Sequence, residues 1–387
     1  MTRRAVVALG IGQCVNWGVL YYTFAVLVVP LKRELGVETW VVTGAFSLAL
    51  LMSAVIAPAV GRLSDRDRGA FVMQAGGFMG AVFLVAWALF PSLLTLYLTW
   101  FGLGLCMAAS LYEPAFIIIG RMHRDPVARL RALALVTLIG GLASSIFLPV
   151  TAISVREIGW RPTVVAIAVL LAASTCAIHI YVFRHQAGVP SGPPLEDAHL
   201  PAASGGIDRP RFWFLAIIFG VTSLASTAFT ANIVPALGER GISPATAATL
   251  GGLNGVMQLP GRALLLTGAF AGSPGRLISI CLTLQAIGLG VLALTQSTLA
   301  SAVGIMLLMA GAGLLTLVRP HLVLRTFGAG ETGYLNGLLV RGQQLGRAVG
   351  PISVALLAST IGYGSAFMLL GAVFVFLTLG SYRLLSD

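Results

Sequence analysis

A few ionisable residues stand inside long apolar runs of the sequence, chiefly Glu113, Arg319, Arg341 and Arg347. If those runs are membrane spans, each charge costs about 2.5–3.5 kcal/mol on insertion scales, which makes these residues candidates for function. Glu113 can bind a proton, and a low-dielectric environment favours the protonated form of a carboxyl group. Each arginine can hold a carboxylate through two hydrogen bonds. The chemistry available is therefore proton binding and ion pairing.

The apolar runs that carry these residues predict membrane-spanning helices. The chain has 387 residues, of which 57% are hydrophobic and 10% charged, whereas a soluble domain carries about 25% charged residues. A helical span needs about 20 apolar residues, and the runs lack the alternation of barrel strands. The breakers between runs predict an all-α membrane protein with twelve helices, near residues 6–30, 40–60, 70–90, 93–119, 131–153, 162–183, 212–237, 244–266, 276–295, 298–320, 333–357 and 364–383.

The twelve helices divide into two similar bundles. Residues 185–211 are rich in Pro, Gly, Ser and charge, which predicts a flexible linker between bundles at 1–184 and 212–387. Segment 24–36 aligns with 229–241 at an offset of 205, and Glu113-Pro114 aligns with Arg319-Pro320 at an offset of 206. Nearly constant offsets favour a duplicated six-helix unit, which is a known plan of transporters.

The distribution of basic residues predicts the orientation. With the N-terminus placed inside, the inner segments hold 17 arginines and the outer loops hold five basic residues. Because cytoplasmic loops are enriched in Arg and Lys, both termini and the linker are expected in the cytoplasm, with the chain in the cytoplasmic (inner) membrane. The net charge of +11 therefore reports topology. Without a basic helix or an aromatic–basic stripe, no nucleic-acid partner is expected.

Enzyme chemistry is not indicated. The four cysteines lie far apart in apolar runs, which predicts buried thiols without disulfides or a metal site. The spans contain no HExxH, paired Asp or Ser–Lys arrangement, and the glycine-rich pieces do not form a phosphate loop. We therefore expect no catalytic residues, no metal and no cofactor.

Residues 61–69 read GRLSDRDRG, which closely resembles the loop motif between the second and third helices of the major facilitator superfamily. Together with the twelve spans, the duplication and the linker, the resemblance covers essentially the whole chain and implies that family's fold. It also implies that Gly61, Asp65 and Arg66 form a conformational latch, with Asp65 at the start of the eleventh helix. The spacing departs from the family after Asp65, and an ordinary solvated loop is the alternative.

Three other segments, 111–116, 147–149 and 159–161, look like bacterial facilitators near the monocarboxylate and drug-efflux branches, without separating the two. Glu113 lies eight residues before Arg121, so it sits about 12 Å above the inner loop. In the family the fourth and tenth helices face each other across the cavity. The resemblance thus implies that Glu113 and Arg319 form an inner-gate pair, which protonation or substrate releases. A local pair of Glu113 with an arginine such as Arg341 is equally open.

The eleventh helix carries an unusually polar stretch at 341–347. Arg341 lies about 120° from Arg347 around a helix, so one arginine is expected to face the cavity and the other the bundle. A cavity-facing guanidinium favours an anionic substrate, although both arginines could instead neutralise Asp65 or Glu113. The candidates for substrate binding are Asn16, Tyr21, Tyr22, Tyr112, Asn232, Asn254, Gln258, Arg341, Gln344 and Arg347. Hydrogen bonds between helices explain the polar residues among them equally well.

The sequence predicts a monomeric secondary transporter in a lipid bilayer, which moves a small organic solute by alternating access with proton coupling. An organic anion such as a monocarboxylate is the favoured substrate. The same residues permit proton-coupled efflux of amphiphilic cations that Glu113 and the aromatic residues of the first helix would recognise. A non-transporting membrane sensor is a more distant alternative, because it would need a signalling domain or a long tail.

Overall fold

The computed structural model describes residues 2–64, 68–122, 126–183, 209–266, 274–327 and 332–384, and the regular structure in these ranges is helical. The first to sixth helices are Arg3–Leu35, Thr39–Leu63, Gly69–Leu89, Leu93–Ser110 with Tyr112–Met122, Pro126–Gly141 with Ala143–Ile158, and Trp160–Ile178. The seventh to tenth are Arg209–Gly238, Pro244–Leu266, Pro274–Leu294 and Thr298–Phe327. The eleventh and twelfth together form Thr332–Leu384.

The helices agree with the predicted all-α membrane fold. Ten segments in the described ranges are long and apolar enough to cross a bilayer. One of these, Leu339–Tyr382, contains two helices because Gly362 has non-helical φ and ψ angles. With Pro244–Leu266 added, the described ranges hold the twelve helices that the sequence predicts.

The chain forms two compact units. The first contains Met1–Val37 and Leu48–Ala198, and the second contains Glu38–Ser47 and His199–Asp387. The start of the second helix is thus grouped with the second unit. The predicted boundaries at 1–184, 185–211 and 212–387 stay a prediction, because residues 184–208 lie outside the described ranges.

Each unit is held by apolar packing, and many of its hydroxyl groups are satisfied within their own helix. In the first unit Leu9, Ile119 and Val136 are fully buried in one core that joins the first, fourth and fifth helices. Hydroxyl groups inside the helices donate to the carbonyl four residues earlier, as the Thr175 hydroxyl does to the Leu171 oxygen at 2.8 Å. Such bonds remove the need for water within a span.

Glycines let the seventh and eleventh helices touch. A Cβ at Gly346 would collide with the carbonyl oxygen of Gly220, and a Cβ at Gly350 would lie 2.5 Å from the carbonyl oxygen of Leu224. Gly346 and Gly350 therefore form a small-residue packing surface on the eleventh helix.

The cysteines are free thiols. Cys14, Cys106 and Cys281 are buried, as predicted. The prediction is wrong for Cys176, which is exposed. It lies seven residues after Val169, which is 61% exposed, so the two share the outward face of the sixth helix.

A carboxylate at the end of the first helix joins that end to the start of the sixth helix. The Trp160 indole Nε1–H donates to Glu34 Oε2 at 2.6 Å, and the Arg161 guanidinium donates to Glu34 Oε1 at 2.5 Å. Gly159 precedes this pair with φ 85° and ψ 165°, a conformation essentially confined to glycine. We call this arrangement the first clasp.

The second unit repeats the arrangement as a second clasp. Glu239, 205 residues after Glu34, accepts a hydrogen bond from the Tyr363 backbone N–H at 3.0 Å. Gly362 precedes Tyr363 with φ 78° and ψ 157°. Burial lowers the pKa of the neighbouring Arg240, and the charge of Glu239 opposes this shift. The two units therefore share a loop geometry as well as a sequence repeat.

Replacing either loop glycine by alanine is expected to destabilise the protein, because a Cβ strains a backbone with these φ and ψ values. We expect Gly159→Ala and Gly362→Ala each to cost about 1–3 kcal/mol and to lower the midpoint of thermal unfolding in detergent. Gly290→Ala is the control, since a Cβ there meets nothing within 4 Å. Equal midpoints for all three variants would contradict the strained geometry.

Candidate functional site

The fourth helix is interrupted inside its span. Leu111 has an extended backbone, with φ −78° and ψ −158°, between Leu93–Ser110 and Tyr112–Met122. Pro114 explains the break, because it has no N–H to donate to the carbonyl of Ser110 four residues earlier. An unsatisfied carbonyl inside a bilayer costs several kcal/mol, so the Ser110 oxygen needs other donors.

Two side-chain amides from the first helix supply those donors. Gln13 Nε2 and Asn16 Nδ2 each donate to the Ser110 oxygen at 2.9 Å. The two residues are three apart, which places them on one face of the helix, and both are buried, at 0% and 2% exposure. The shared carbonyl thus replaces its lost helical donor with a pair of amide N–H groups.

This arrangement determines how both amides are turned. Since each nitrogen must face the Ser110 carbonyl, Gln13 Oε1 and Asn16 Oδ1 face away from it. Both oxygens are buried, and neither accepts a hydrogen bond from the described part of the chain. Buried polar atoms without partners are rare and point to a missing water, ion or ligand. Asn16 also lines a small cleft with Met73, Gln74, Thr175 and Ile178.

An aromatic cluster follows directly along the first helix. The Trp17 ring centroid lies 5.2 Å from that of Tyr21 and 5.1 Å from that of Tyr112. Tyr22 lies 5.0 Å from Tyr21, and Phe116 stacks on Tyr112 at 5.2 Å with 11° between the ring planes. The helix forms a π-helical turn at 18–22, a deviation that is frequent at functional sites.

The predicted candidates Asn16, Tyr21, Tyr22 and Tyr112 therefore come together in the first unit. Gln13 and Phe116 belong to the same site but are not among the predicted residues. Two sequence signals identify Gln13: its spacing of three from Asn16, and the carbonyl that Pro114 must leave free. The Trp17 Nε1–H is buried and has no acceptor within the described ranges. We refer to Gln13, Asn16, Trp17, Tyr21, Tyr22, Tyr112 and Phe116 as the amide–aromatic site.

Glu113 lies in the first turn of the helical segment after the break. Its side chain is exposed, and it makes no ion pair or hydrogen bond with the residues that the structure describes. The side chain of Arg319 lies outside the described residues, although its backbone belongs to the helix Thr298–Phe327. The gate pair between Glu113 and Arg319 therefore stays a prediction.

The two arginines of the eleventh helix lie on different faces. Arg341 is exposed on the same side as Leu345 and Val349, which are 58% and 49% exposed. Such an apolar exposed face is typical of contact with lipid. Arg347 lies about 120° away, where it and Gln344 are partly exposed within an otherwise buried side of the helix. Arg347 thus lies on the less exposed side of the helix, away from the apolar exposed face that carries Arg341.

The remaining candidates are mostly engaged in packing. Asn232 is fully buried: its Nδ2 donates to the carbonyls of Ala228 and Pro351, and its Oδ1 accepts from the Tyr363 hydroxyl at 2.8 Å. Asn254 Nδ2 donates to the Thr230 hydroxyl at 3.5 Å. These contacts join helices of the second unit, and a role of either residue in binding substrate stays a prediction.

Three more candidates lie partly or wholly outside the described part of the chain. Asp65 and Arg66 lie outside it altogether, and the side chain of Gln258 is not described. Gly61 belongs to the second helix, and a Cβ there would meet no described atom within 4 Å. The latch therefore stays a prediction.

Comparison with known proteins gives one family match and one curated relative. A sequence model of the Major Facilitator Superfamily matches residues 9–276. A protein of Thermoproteus tenax, described as an uncharacterized 38 kDa protein in a 23S RNA operon, is 29% identical over 346 residues, covering 87% of this chain and 84% of that protein.

Solved transporters share the fold at low identity. A mutant of the peptide transporter POT aligns with a TM-score of 0.79 at 12% identity, covering 98% of this chain and 94% of its own. The nucleoside transporter NupG aligns at 0.73 and 12%, covering 99% of each chain. A bacterial homolog of the human lysosomal transporter Spinster aligns at 0.71 and 15%, covering 100% and 98%. Identities this low establish similarity of fold alone.

A double-mutant cycle tests the origin of the break. Replacing Gln13 and Asn16 together by leucine removes both donors to the Ser110 oxygen, which is expected to cost about 1–3 kcal/mol for the unsatisfied carbonyl. In a Pro114→Ala background the new backbone N–H can donate to that oxygen, so the same pair of changes should cost at least about 1 kcal/mol less. The free energy of unfolding is measured in detergent for the wild type, the variant with both leucines, Pro114→Ala and the variant that combines all three changes. If the costs of the leucine pair and of Pro114→Ala simply add, the two amides are not linked to the proline.

Proposed function

The chain belongs to the major facilitator superfamily, and on that premise we propose that it moves a small organic solute across a membrane by alternating access, coupled to protons. Membership in this family makes the chain a secondary transporter and not an enzyme. Its many long apolar helices make it a multi-pass membrane protein. The solute, the coupling ion and the direction of transport belong to the proposal.

The observation that carries the proposal is the position of Glu113. Its carboxyl group stands in the first turn after a helix break within the fourth span, exposed and without a described partner. In this conformation the carboxyl group forms no ion pair with a described residue. Ionisable residues inside spans mark proton and substrate pathways in transporters. The predicted pairing with Arg319 would link the proton to the opening of the inner side.

Arg347 supports an organic anion as the solute. Arg347 is partly exposed on a mostly buried side of its helix, and the neighbouring Gln344 is also partly exposed. A guanidinium holds a carboxylate with two charge-assisted hydrogen bonds. We therefore assign the anion-binding role to Arg347 and place Arg341 at the lipid-facing surface.

The cationic alternative also has support. The amide–aromatic site brings five rings together near the start of the helical segment that carries Glu113. Aromatic faces attract cations, so an amphiphilic cation could use the rings together with the carboxylate. The direction would then be efflux against an inward proton gradient.

The proposal retains the predicted surroundings. The chain acts as a monomer in the cytoplasmic membrane, with both termini and the linker 185–211 in the cytoplasm, as the 17 inner arginines against five outer basic residues indicate. Gly61, Asp65 and Arg66 serve as the cytoplasmic latch. Small organic solutes and protons are the expected partners.

Glu113→Gln tests proton coupling. In proteoliposomes with an internal pH dye, an organic acid should drive proton entry by the wild type, and the variant should lose at least about 90% of this signal because a glutamine cannot carry a proton. Exchange of labelled solute between the two sides should persist. Glu157→Gln is the control, since Glu157 is exposed and paired with its neighbour Arg156. An unchanged dye signal in Glu113→Gln would remove Glu113 from the mechanism.

Arg347→Gln tests the anion site. Loss of a charge-assisted bidentate contact is expected to raise the KM for an organic acid by about tenfold or more. Arg347→Lys should recover part of the affinity through its charge. Arg341→Gln should change KM far less, because Arg341 lies on the exposed apolar face. If the Arg341 and Arg347 variants are affected equally, the assignment of faces is wrong. A dye response only to amphiphilic cations would favour the alternative solute.

A further inference from the structure

The amide–aromatic site holds three polar atoms that the fold leaves without partners. Gln13 Oε1, Asn16 Oδ1 and Trp17 Nε1 are buried, and none has a hydrogen-bond partner in the described ranges. The orientation of the two amides is fixed by the Ser110 carbonyl that both nitrogens serve. The site therefore offers two preorganised acceptors and one indole donor, without any freedom to turn the acceptors away.

The cost of leaving such atoms unpaired indicates that they serve a purpose. Each unsatisfied buried acceptor costs about 1–3 kcal/mol. Leucine at both positions 13 and 16 would avoid that cost, but it would leave the Ser110 oxygen without a donor. The amides thus repair the helix break and at the same time turn two carbonyl oxygens toward the side opposite Ser110.

A ring cluster lies next to these amides along the chain, because Trp17 follows Asn16 directly and contacts Tyr112, which follows the break after Ser110. Tyr21, Tyr22, Tyr112 and Phe116 surround or extend from Trp17, with neighbouring ring centroids 5.0–5.2 Å apart. Trp17, Tyr22 and Tyr112 are partly exposed while Tyr21 is nearly buried, so the cluster presents ring surface at its edge. Aromatic groups prefer offset-stacked or edge-to-face contacts with other rings at such distances. A planar ring is the ligand group that makes the most of this surface.

From these features we propose that the amide–aromatic site binds a planar aromatic ring that carries an O–H or N–H donor, and that this ring belongs to the transported solute. The donor bonds to Gln13 Oε1 or Asn16 Oδ1, and the ring packs against the cluster. The inference rests on the proposed function in one respect only, that the bound solute is also transported. With an organic anion as the solute, the substrate class becomes hydroxylated or N–H-bearing aromatic acids.

Binding to purified full-length protein in detergent tests the site without requiring transport. The probes are 4-hydroxybenzoate, benzoate and cyclohexanecarboxylate, which share the carboxylate and a six-membered ring. Ligand-dependent shifts of the unfolding midpoint give each dissociation constant. We expect 4-hydroxybenzoate to bind about tenfold more tightly than benzoate, through one added hydrogen bond to a buried acceptor. Benzoate should bind about fivefold more tightly than cyclohexanecarboxylate, through ring contacts.

Variants assign these preferences to residues. Replacing both Gln13 and Asn16 by leucine should reduce the ratio between 4-hydroxybenzoate and benzoate to about one, and Tyr112→Leu should reduce the preference for benzoate over cyclohexanecarboxylate. Trp213→Leu is the control, because Trp213 is a 63% exposed aromatic residue of the second unit. Where the leucine variants do not fold, the probe ratios of the wild type still decide the question. Equal affinities for 4-hydroxybenzoate and benzoate in the wild type would overturn the proposal and leave the oxygens to water.

The outcomes separate this inference from the proposed function. Proton entry driven by acids without any preference for ring or donor leaves the proposed transport standing and removes the aromatic site. Tight, donor-dependent binding of 4-hydroxybenzoate without proton entry supports the aromatic site and removes the proposed proton-coupled transport. If tyramine and phenethylamine replace the acids as the probes that bind, their affinity ratio tests the same two oxygens. A ratio near tenfold supports the site with a cationic solute, and a ratio near one overturns it.

Discussion

The organisation of the first unit depends on one carbonyl group that has lost its helical donor. Pro114 cannot donate to the Ser110 oxygen, and the bilayer offers no water to replace the missing bond. Gln13 and Asn16 both donate to that oxygen from the first helix, which fixes the first helix against the fourth at this level. The break in turn places Tyr112 and Glu113 at the start of a new helical segment. The positions of Tyr112 and of the exposed Glu113 carboxylate thus depend on one backbone carbonyl that lacks its helical donor.

The two clasps also join helices through a polar group that accepts hydrogen bonds from another helix. Glu34 and Glu239 each bind the loop that follows a glycine with positive φ, in the first and second unit respectively. Each clasp connects helices that are far apart in sequence, the first to the sixth and the seventh to the twelfth, so the carboxylate joins helix ends that no loop connects. Both clasps place a glutamate at the same position of the repeat and a glycine with positive φ before the residues it binds, although the donors differ, so the duplication preserved this part of the frame of each unit. The differences between the units lie in the spans.

Much of the fold can be predicted from the sequence, because apolar runs of about 20 residues in a membrane have few alternatives to helix. The repeat at Glu34 and Glu239 is also visible as a constant offset. The break at Leu111 was not predicted, although Pro114 stands in a segment that the sequence singles out. A proline interrupts a span cleanly only when another element can satisfy the freed carbonyl, and that element is 94–97 residues away. The faces of Arg341 and Arg347 likewise depend on where the seventh helix packs, which no local pattern encodes.

The two repeats differ at the positions of the amide pair. At the offset of 205 that relates the first and seventh helices, Ile218 and Val221 stand where Gln13 and Asn16 stand in the first unit. The seventh helix therefore has no amide pair at this level, even though Pro320 repeats Pro114 in the tenth helix. A feature that the frame required would be present in both units, as the clasps are. The amides are thus an addition to the duplicated frame, which agrees with the proposed role of their buried oxygens in binding a donor.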